Sequence, residues 1–142
     1  MGKVALDASA ILSWILAEPV GLGNANELMS QLLSEGMELL APKLLILEIL
    51  NVLVRRYRLP ESVVAEMLER VVELDIFWIE SDKFEINELI HLEYKHKLTS
   101  YDAWYLQVAR QYGCQLITHD KALLKADKKR CITPKMFLEQ ID

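Results

Sequence analysis

The sequence lacks the features that would mark a secreted or zinc-dependent protein. Its 142 residues include two cysteines, Cys114 and Cys131, which are too few and too isolated for a disulfide framework or a zinc site. The three histidines, His91, His96 and His119, do not combine with the two cysteines into a zinc-binding pattern. We therefore expect both cysteines to be reduced thiols in a cytoplasmic protein.

Long apolar runs are also missing. The segment MGKVALDASA contains a lysine and reaches an aspartate before any long apolar run, unlike a signal peptide. The most apolar stretch, LLILEILNVLV at 44–54, is too short to cross a bilayer and contains Glu48 and Asn51. No repeat, low-complexity tract or linker interrupts the chain. The sequence therefore predicts a single soluble domain spanning 1–142, without membrane association.

Positive charge is in deficit, because the net charge is −5. A total of that sign disfavours a nucleic-acid-binding protein, which usually carries a basic face. Basic residues nevertheless cluster at 55–58 and again at 121–130. Such clusters are most often solvated surface, and a metal site would neutralise several of the acids. Net charge therefore does not decide whether the protein binds nucleic acid.

Short apolar strands alternate with helices along the whole chain. This alternation is typical of a parallel sheet covered by helices on both faces. It predicts an α/β fold with a central parallel sheet of four to five strands. Strands are predicted at 3–7, 37–42, 75–80, 115–118 and 131–133. Helices are predicted at 9–17, 22–36, 44–58, 60–74, 84–97, from Thr99 or Ser100 to Gly113, 121–126 and 135–141.

Two of the predicted strands have an aspartate at their carboxyl end. Asp7 is the last residue of the first predicted strand, and Asp120 lies two residues after the strand at 115–118. In open α/β sheets, ligands bind beyond the carboxyl ends of the strands, so neighbouring strands would bring the two carboxylates to one rim. Each aspartate could instead cap the helix that follows it, and the sequence leaves both roles open.

Two further acids lie on helices. Asp102 shares a face with Tyr105 and other apolar residues, where a carboxylate is costly unless it is paired or bound to a cation. It also lies three residues after Thr99, which is the spacing of a capping box.

The helix that begins at residue 44 and contains Glu48 is apolar almost all round and is expected to be largely buried. Within it, Glu48, Asn51 and Arg55 form a stripe roughly 60° wide. That stripe is either an internal salt bridge or the wall of a polar site.

Four carboxylates at one site would repel each other and raise each other's pKa, so a bound divalent cation would explain them. Oxygen-only ligands suit Mg²⁺ or Mn²⁺ rather than zinc. His119 is expected to point away from the rim, because neighbours on a strand face opposite sides. If the site acts on a nucleic acid, basic residues at the rim would hold the nucleic-acid backbone, and the candidates are Arg55, Lys121 and Lys125.

Three segments, VALDASAIL, APKLLILEILNVL and LTSYDAWYLQVARQYGCQLITHD, resemble the motif blocks of PIN-domain ribonucleases. More narrowly, they resemble the VapC-type toxins of VapBC toxin–antitoxin pairs. The resemblance extends from Lys3 to about Thr133. An isolated Asp-Ala-Ser is a weak signal, whereas the whole ordered set of acids is specific.

The resemblance implies a PIN-like fold and an endoribonuclease that depends on Mg²⁺ or Mn²⁺. It implies an acidic quartet that holds the metal, made of Asp7, Glu48, Asp102 and Asp120. Polar neighbours that match supporting positions are Ser9, Asn51 and Thr118. It also implies an RNA substrate, a homodimer, and a cognate antitoxin whose tail lies in the active-site groove. Apolar residues around 22–33 or 44–57 would suit these contacts, or would simply be core.

Other functions remain open at this point. A PIN fold could serve as a non-catalytic binding module, although the complete acidic quartet argues against it. An aspartate-nucleophile phosphatase would have a second aspartate where Ser9 stands, and a receiver domain would have paired acids near the first strand. The sequence does not identify the RNA.

Overall fold

The computed structural model describes residues 2–16 and 25–141. Its centre is a five-stranded sheet in which every pairing is parallel. The predicted α/β fold is therefore confirmed, with five strands. These are β1 (Lys3–Leu6), β2 (Glu38–Pro42), β3 (Phe77–Ile79), β4 (Gln115–Ile117) and β5 (Cys131–Ile132).

The strand order, β3-β2-β1-β4-β5, determines where the site lies. The chain builds outward from β1 through β2 to β3, then crosses to the other side of β1 to add β4 and β5. The direction of winding therefore reverses between β1 and β4, where open α/β sheets bind ligands. Leu6 pairs with Ile117 in this register, so residues 7 and 118 leave the sheet side by side.

Helices join successive strands. They are α1 (Ala8–Ile15), α2 (Ala25–Ser34), α3 (Leu44–Asn51), α4 (Glu61–Val72), α5 (Ile86–His96), α6 (Ser100–Gln111), α7 (Lys121–Ala126) and α8 (Pro134–Ile141). A π-helical segment, Val52–Arg56, continues α3, and a 3₁₀ turn, Ser81–Lys83, precedes α5. Most predicted boundaries lie within about two residues of those observed. Parts of the helices predicted at 9–17 and 22–36 fall outside the described residues.

Burial of the α3 segment differs from the expectation. Leu45, Ile49 and Leu53 are fully buried, but Leu47 is 69% exposed and Val54 is 45% exposed. The expectation that this helix is largely buried therefore holds only for the face that carries Leu45, Ile49 and Leu53. An apolar composition shows that a helix can be buried, whereas the neighbours packed against it decide which face is buried.

The core lies on both sides of the sheet. Val4 to Leu6 of β1 and Leu116 and Ile117 of β4 are almost completely buried, and α6 is buried continuously from Ala103 to Ala109. Cys114 and Cys131 are buried free thiols, which agrees with the expected absence of a disulfide. Within residues 2–16 and 25–141, no helix is long and apolar enough to cross a membrane.

Candidate active site

The four predicted acids line one cleft. This cleft, of about 190 Å³, lies beyond the carboxyl ends of β1 and β4 and is bordered by α1, α3 and α6. Neighbouring strands bring Asp7 and Asp120 to the rim, while Glu48 and Asp102 approach it from helices. The lining residues are Asp7, Ala8, Ser9, Leu12, Glu48, Val52, Asp102, Tyr105 and Asp120.

Asp7 is the most restrained of these acids. Its Oδ1 accepts hydrogen bonds from the Ser9 hydroxyl at 2.6 Å and from the Ala10 backbone N–H at 2.9 Å. Its Oδ2 accepts from the Thr118 hydroxyl. Burial raises the pKa of Asp7, while these hydrogen bonds act to lower it. Asp7 therefore both caps α1 and lines the cleft, so the two roles left open by the sequence are compatible.

A hydrogen-bond network holds the end of β4 against the start of α1. The Thr118 hydroxyl, besides donating to Asp7, accepts from the Asp120 backbone N–H at 2.9 Å. Ser9 Oγ accepts from the His119 backbone N–H at 2.9 Å. The Asp120 carboxylate accepts from the Leu123 N–H at 2.9 Å and so caps α7. Ser9 and Thr118 thus orient Asp7, and Asp120 has a structural role beside its position at the rim.

One oxygen of Glu48 lacks a hydrogen-bond partner among residues 2–16 and 25–141. This oxygen, Oε1, is buried, and within the same residues the buried hydroxyl of nearby Tyr105 also has no partner. Burial raises the pKa of Glu48 to about 7, the approach of the Tyr105 hydroxyl acts to lower it, and the charges of Asp102 and Asp7 add to the rise. Neither of the two ion pairs in the described part of the chain involves Glu48, which argues against the internal salt bridge. A buried carboxylate oxygen without a partner is costly, so this position calls for a ligand or a proton.

Asp102 lies in the first turn of α6. Its backbone N–H donates to the Thr99 hydroxyl at 3.1 Å, so Thr99 caps the helix as its spacing predicted. The Asp102 carboxylate borders the cleft, where burial and then the charge of Asp120 raise its pKa to about 6. Three acids with raised pKa values in one cleft are typical of a functional site.

The remaining predicted residues lie outside the cleft lining. Asn51 is exposed near the end of α3. Arg55 is exposed on the π-helical segment, where bonding from i to i+5, as from Tyr57 N–H to Val52 O at 3.0 Å, changes the angular spacing. The expected stripe through Arg55 assumed a regular α-helix and does not apply here. Lys121 and Lys125 are exposed on α7.

His119 is not among the residues that line the cleft, but strand alternation, the reason given for expecting this, does not apply. Because β4 ends at Ile117, alternation along a strand does not determine its direction. Its Nε2 lies 3.1 Å from the Ser13 hydroxyl of α1. The sequence also did not single out Tyr105 as a cleft residue. Its position three residues after Asp102 on a helix was the signal that could have found it.

The donors in the cleft are all oxygen atoms, the kind that Mg²⁺ and Mn²⁺ prefer. Across residues 2–16 and 25–141, however, no three Asp, Glu, His or Cys side chains converge closely enough to bind one ion. Support for a cation therefore comes from the donor set and the unpaired Glu48 oxygen, and not from a preformed coordination shell.

Fold and cleft together define an α/β domain with an acidic site at the carboxyl edge of a parallel sheet. A sequence model of the PIN domain family matches residues 4–129, and the chain belongs to that family. PIN domains are generally nucleases, and those nucleases generally use divalent metals. No curated protein matches the chain.

Among solved structures, the chain is similar in fold to the crystal structure of PAE2754 from Pyrobaculum aerophilum. The TM-score is 0.73 at 23% sequence identity, and the match covers 99% of this chain and 95% of the other. At that identity the likeness establishes the fold alone.

Proposed function

We propose that the protein is a metal-dependent endoribonuclease in which Asp7, Glu48, Asp102 and Asp120 hold Mg²⁺ or Mn²⁺. The observation that carries the proposal is that all four carboxylates line one cleft, where no hydrogen bond from the described residues reaches the buried Glu48 Oε1. An acidic cluster without ion pairs gains stability from a divalent cation, because the cation offsets both burial and mutual repulsion.

The acidic residues of the cleft have different roles in holding the cation. Asp7 is fixed by Ser9, Ala10 and Thr118, so it presents a carboxylate in one orientation. Glu48 and Asp102 are held less tightly and complete the donor set from α3 and α6. When bound, the cation supplies Lewis acidity at the phosphodiester and lowers the pKa of its water.

RNA has to approach this acidic cleft through basic surface. We assign backbone contacts to Lys121 and Lys125 on α7, which begins directly after Asp120, and to Arg55 beyond α3. Asn51 lies one turn after Glu48 and is exposed, which suits a polar contact with substrate at the outer edge of the site. These assignments rest on the distribution of charge along the chain and on the family.

Cleavage of a mixed pool of structured RNA tests the proposal. Purified protein is assayed with Mn²⁺, with Mg²⁺ and with chelator, beside Asp7→Asn, Asp102→Asn and the exposed control Asp82→Asn. We expect metal-dependent cleavage that both cleft variants abolish and the control retains. The absence of both cleavage and Mn²⁺ binding would instead favour a non-catalytic binding module.

We also propose that the protein is the toxin of a toxin–antitoxin pair and forms a homodimer. Leu47 and Val54 give α3 and its extension an exposed apolar face beside the cleft residues Glu48 and Val52, which suits protein contacts. Expression in bacterial cells should arrest growth, and Asp7→Asn should not. Full expression of the unaltered protein without arrest would contradict the toxin role.

A further inference from the structure

Two exposed tyrosines lie where α5 meets α6. Tyr94, in the last turn of α5, is 85% exposed, and Tyr101, in the first turn of α6, is 60% exposed. Rings left in water contribute little to the core, so packing of the fold does not account for either residue. The neighbouring Trp104, by contrast, is buried and meets the Phe84 ring edge-on at 4.5 Å between centroids.

Tyr101 is exposed in the first turn of α6, the helix that contributes two residues to the cleft lining. It directly precedes Asp102 and comes one helical turn before Tyr105, and both of these residues line the cleft. Residues four apart share a helix face, so Tyr101 lies on the Tyr105 side of α6, one turn nearer the start of the helix. The Ser100 hydroxyl donates to Glu93 Oε1 at 2.9 Å, which joins the residues next to Tyr101 and Tyr94.

Positive charge accompanies the two rings. Lys95 and Lys97 lie between them in sequence, and both are exposed. Lys97 has φ +56° and ends α5. Neither lysine takes part in an ion pair within the described ranges of the chain. The nearest acid in sequence, Glu93, is hydrogen-bonded to Ser100. These lysines therefore remain available to an anionic partner.

We propose that Tyr94, Lys95, Lys97 and Tyr101, the tyrosine–lysine surface, bind the RNA strand beside the cleft. In this arrangement Tyr101 stacks on a base next to the scissile phosphate, and the lysines contact the backbone. The inference rests on the proposed nuclease function. Every base has a π-face, and stacking does not depend on charge, so stacking can hold RNA against four nearby carboxylates. Two unpaired lysines beside the rings fit phosphates better than they fit an apolar protein partner.

Binding is measured apart from cleavage. Fluorescence anisotropy of labelled RNA oligonucleotides is measured in chelator with the Asp7→Asn protein, so that the RNA is not cleaved during the measurement. Asparagine is chosen because it retains the capping role of Asp7. Adding Tyr101→Ala should weaken binding about 5- to 100-fold, whereas Tyr101→Phe keeps the ring and should bind as before. Lys97→Ala should reduce the slope of log K against log salt by about 1. Ile86→Ala, which removes a 66% exposed side chain from the other end of α5, is the matched control.

Abasic oligonucleotides locate the stacked base. A single abasic nucleotide is moved along the RNA, and the effect of Tyr101→Ala is measured at each position. If Tyr101 stacks on one base, the substitution has no further effect when that base is missing, because the two losses are one interaction. Equal effects of Tyr101→Ala on intact and abasic RNA at every position would overturn the assignment.

The outcomes distinguish a failure of the tyrosine–lysine surface from a failure of the proposed nuclease function. Metal-dependent cleavage together with unchanged binding by Tyr101→Ala and Tyr94→Ala would leave the nuclease intact and overturn the surface. Tyrosine-dependent RNA binding without cleavage under any metal would support the surface and count against the nuclease. Failure of the protein to bind any RNA would overturn both. A change in oligomeric mass on substitution of the tyrosines, without a change in RNA affinity, would indicate a protein interface and overturn the surface.

Discussion

Glu48→Gln should stabilise the metal-free protein at alkaline pH. Burial and the charge of Asp102 raise the pKa of Glu48 from 4.5 to about 7, so the folded state favours the protonated carboxyl. Below pH 4.5 the group is protonated in both the folded and unfolded states, and ionisation costs nothing. The cost grows as the pH rises towards 7 and is complete above that value.

The difference between 4.5 and about 7 corresponds at full value to about 3 kcal/mol. Glu48 is only partly buried, so solvent screening reduces this, and we expect about 1–2 kcal/mol. Glutamine has nearly the same shape, and no side chain or backbone group in the described part of the chain donates a hydrogen bond to the buried Oε1. In a domain of this size, the gain in Tm should therefore be about 3–6 °C larger at pH 8 than at pH 5.

The assay is thermal unfolding in chelator at pH 5 and pH 8, followed by circular dichroism. Glu69→Gln, at an exposed position on α4, is the matched control and should show no such difference between the two pH values. A Glu48→Gln protein that is less stable than the unaltered chain at pH 8 would refute the reasoning. It would mean that the fold stabilises the ionised carboxylate.

Two further substitutions test the hydrogen-bond network at the rim and the turn that precedes β4. Thr118→Val removes the hydroxyl that donates to Asp7 and accepts from the Asp120 N–H, so urea unfolding should show a loss of about 1–3 kcal/mol. Unchanged stability would mean that this network does not hold the rim together. Gly113→Ala should cost about 1 kcal/mol, because φ is +62° while an added Cβ meets nothing within 4 Å. Urea unfolding measures this as well, and a much larger loss would reveal a packing conflict at that turn.

Local patterns in the sequence were enough to predict the class of fold. Apolar runs of strand length alternate with helical periodicity, and each pattern reports the burial that its own segment needs. Thr99 marked the start of α6, and its hydroxyl accepts the N–H of Asp102 as a capping residue should. Such signals are local because they depend on hydrogen bonds and side chains only a few residues apart.

The order of the strands in the sheet brings the acids to a single cleft. Because β1 pairs with β4, residues far apart in sequence share one edge, and Thr118 reaches Asp7 across it. The sequence offered cap or rim for Asp7, and the structure shows that it serves as both. No local pattern in the sequence distinguishes these two roles. The capping role depends on the helical turn that follows Asp7, whereas the position at the rim depends on pairing with a strand over a hundred residues away.

The sequence by itself determined the alternation of strands and helices, the start of α6 and the identity of the acids. Only the tertiary structure decided which strands are neighbours, that Leu47 and Val54 remain exposed, and that Glu48 Oε1 has no partner. The physical reason is that periodicity records how apolar a segment is. Burial and pairing depend on which other segments pack against it.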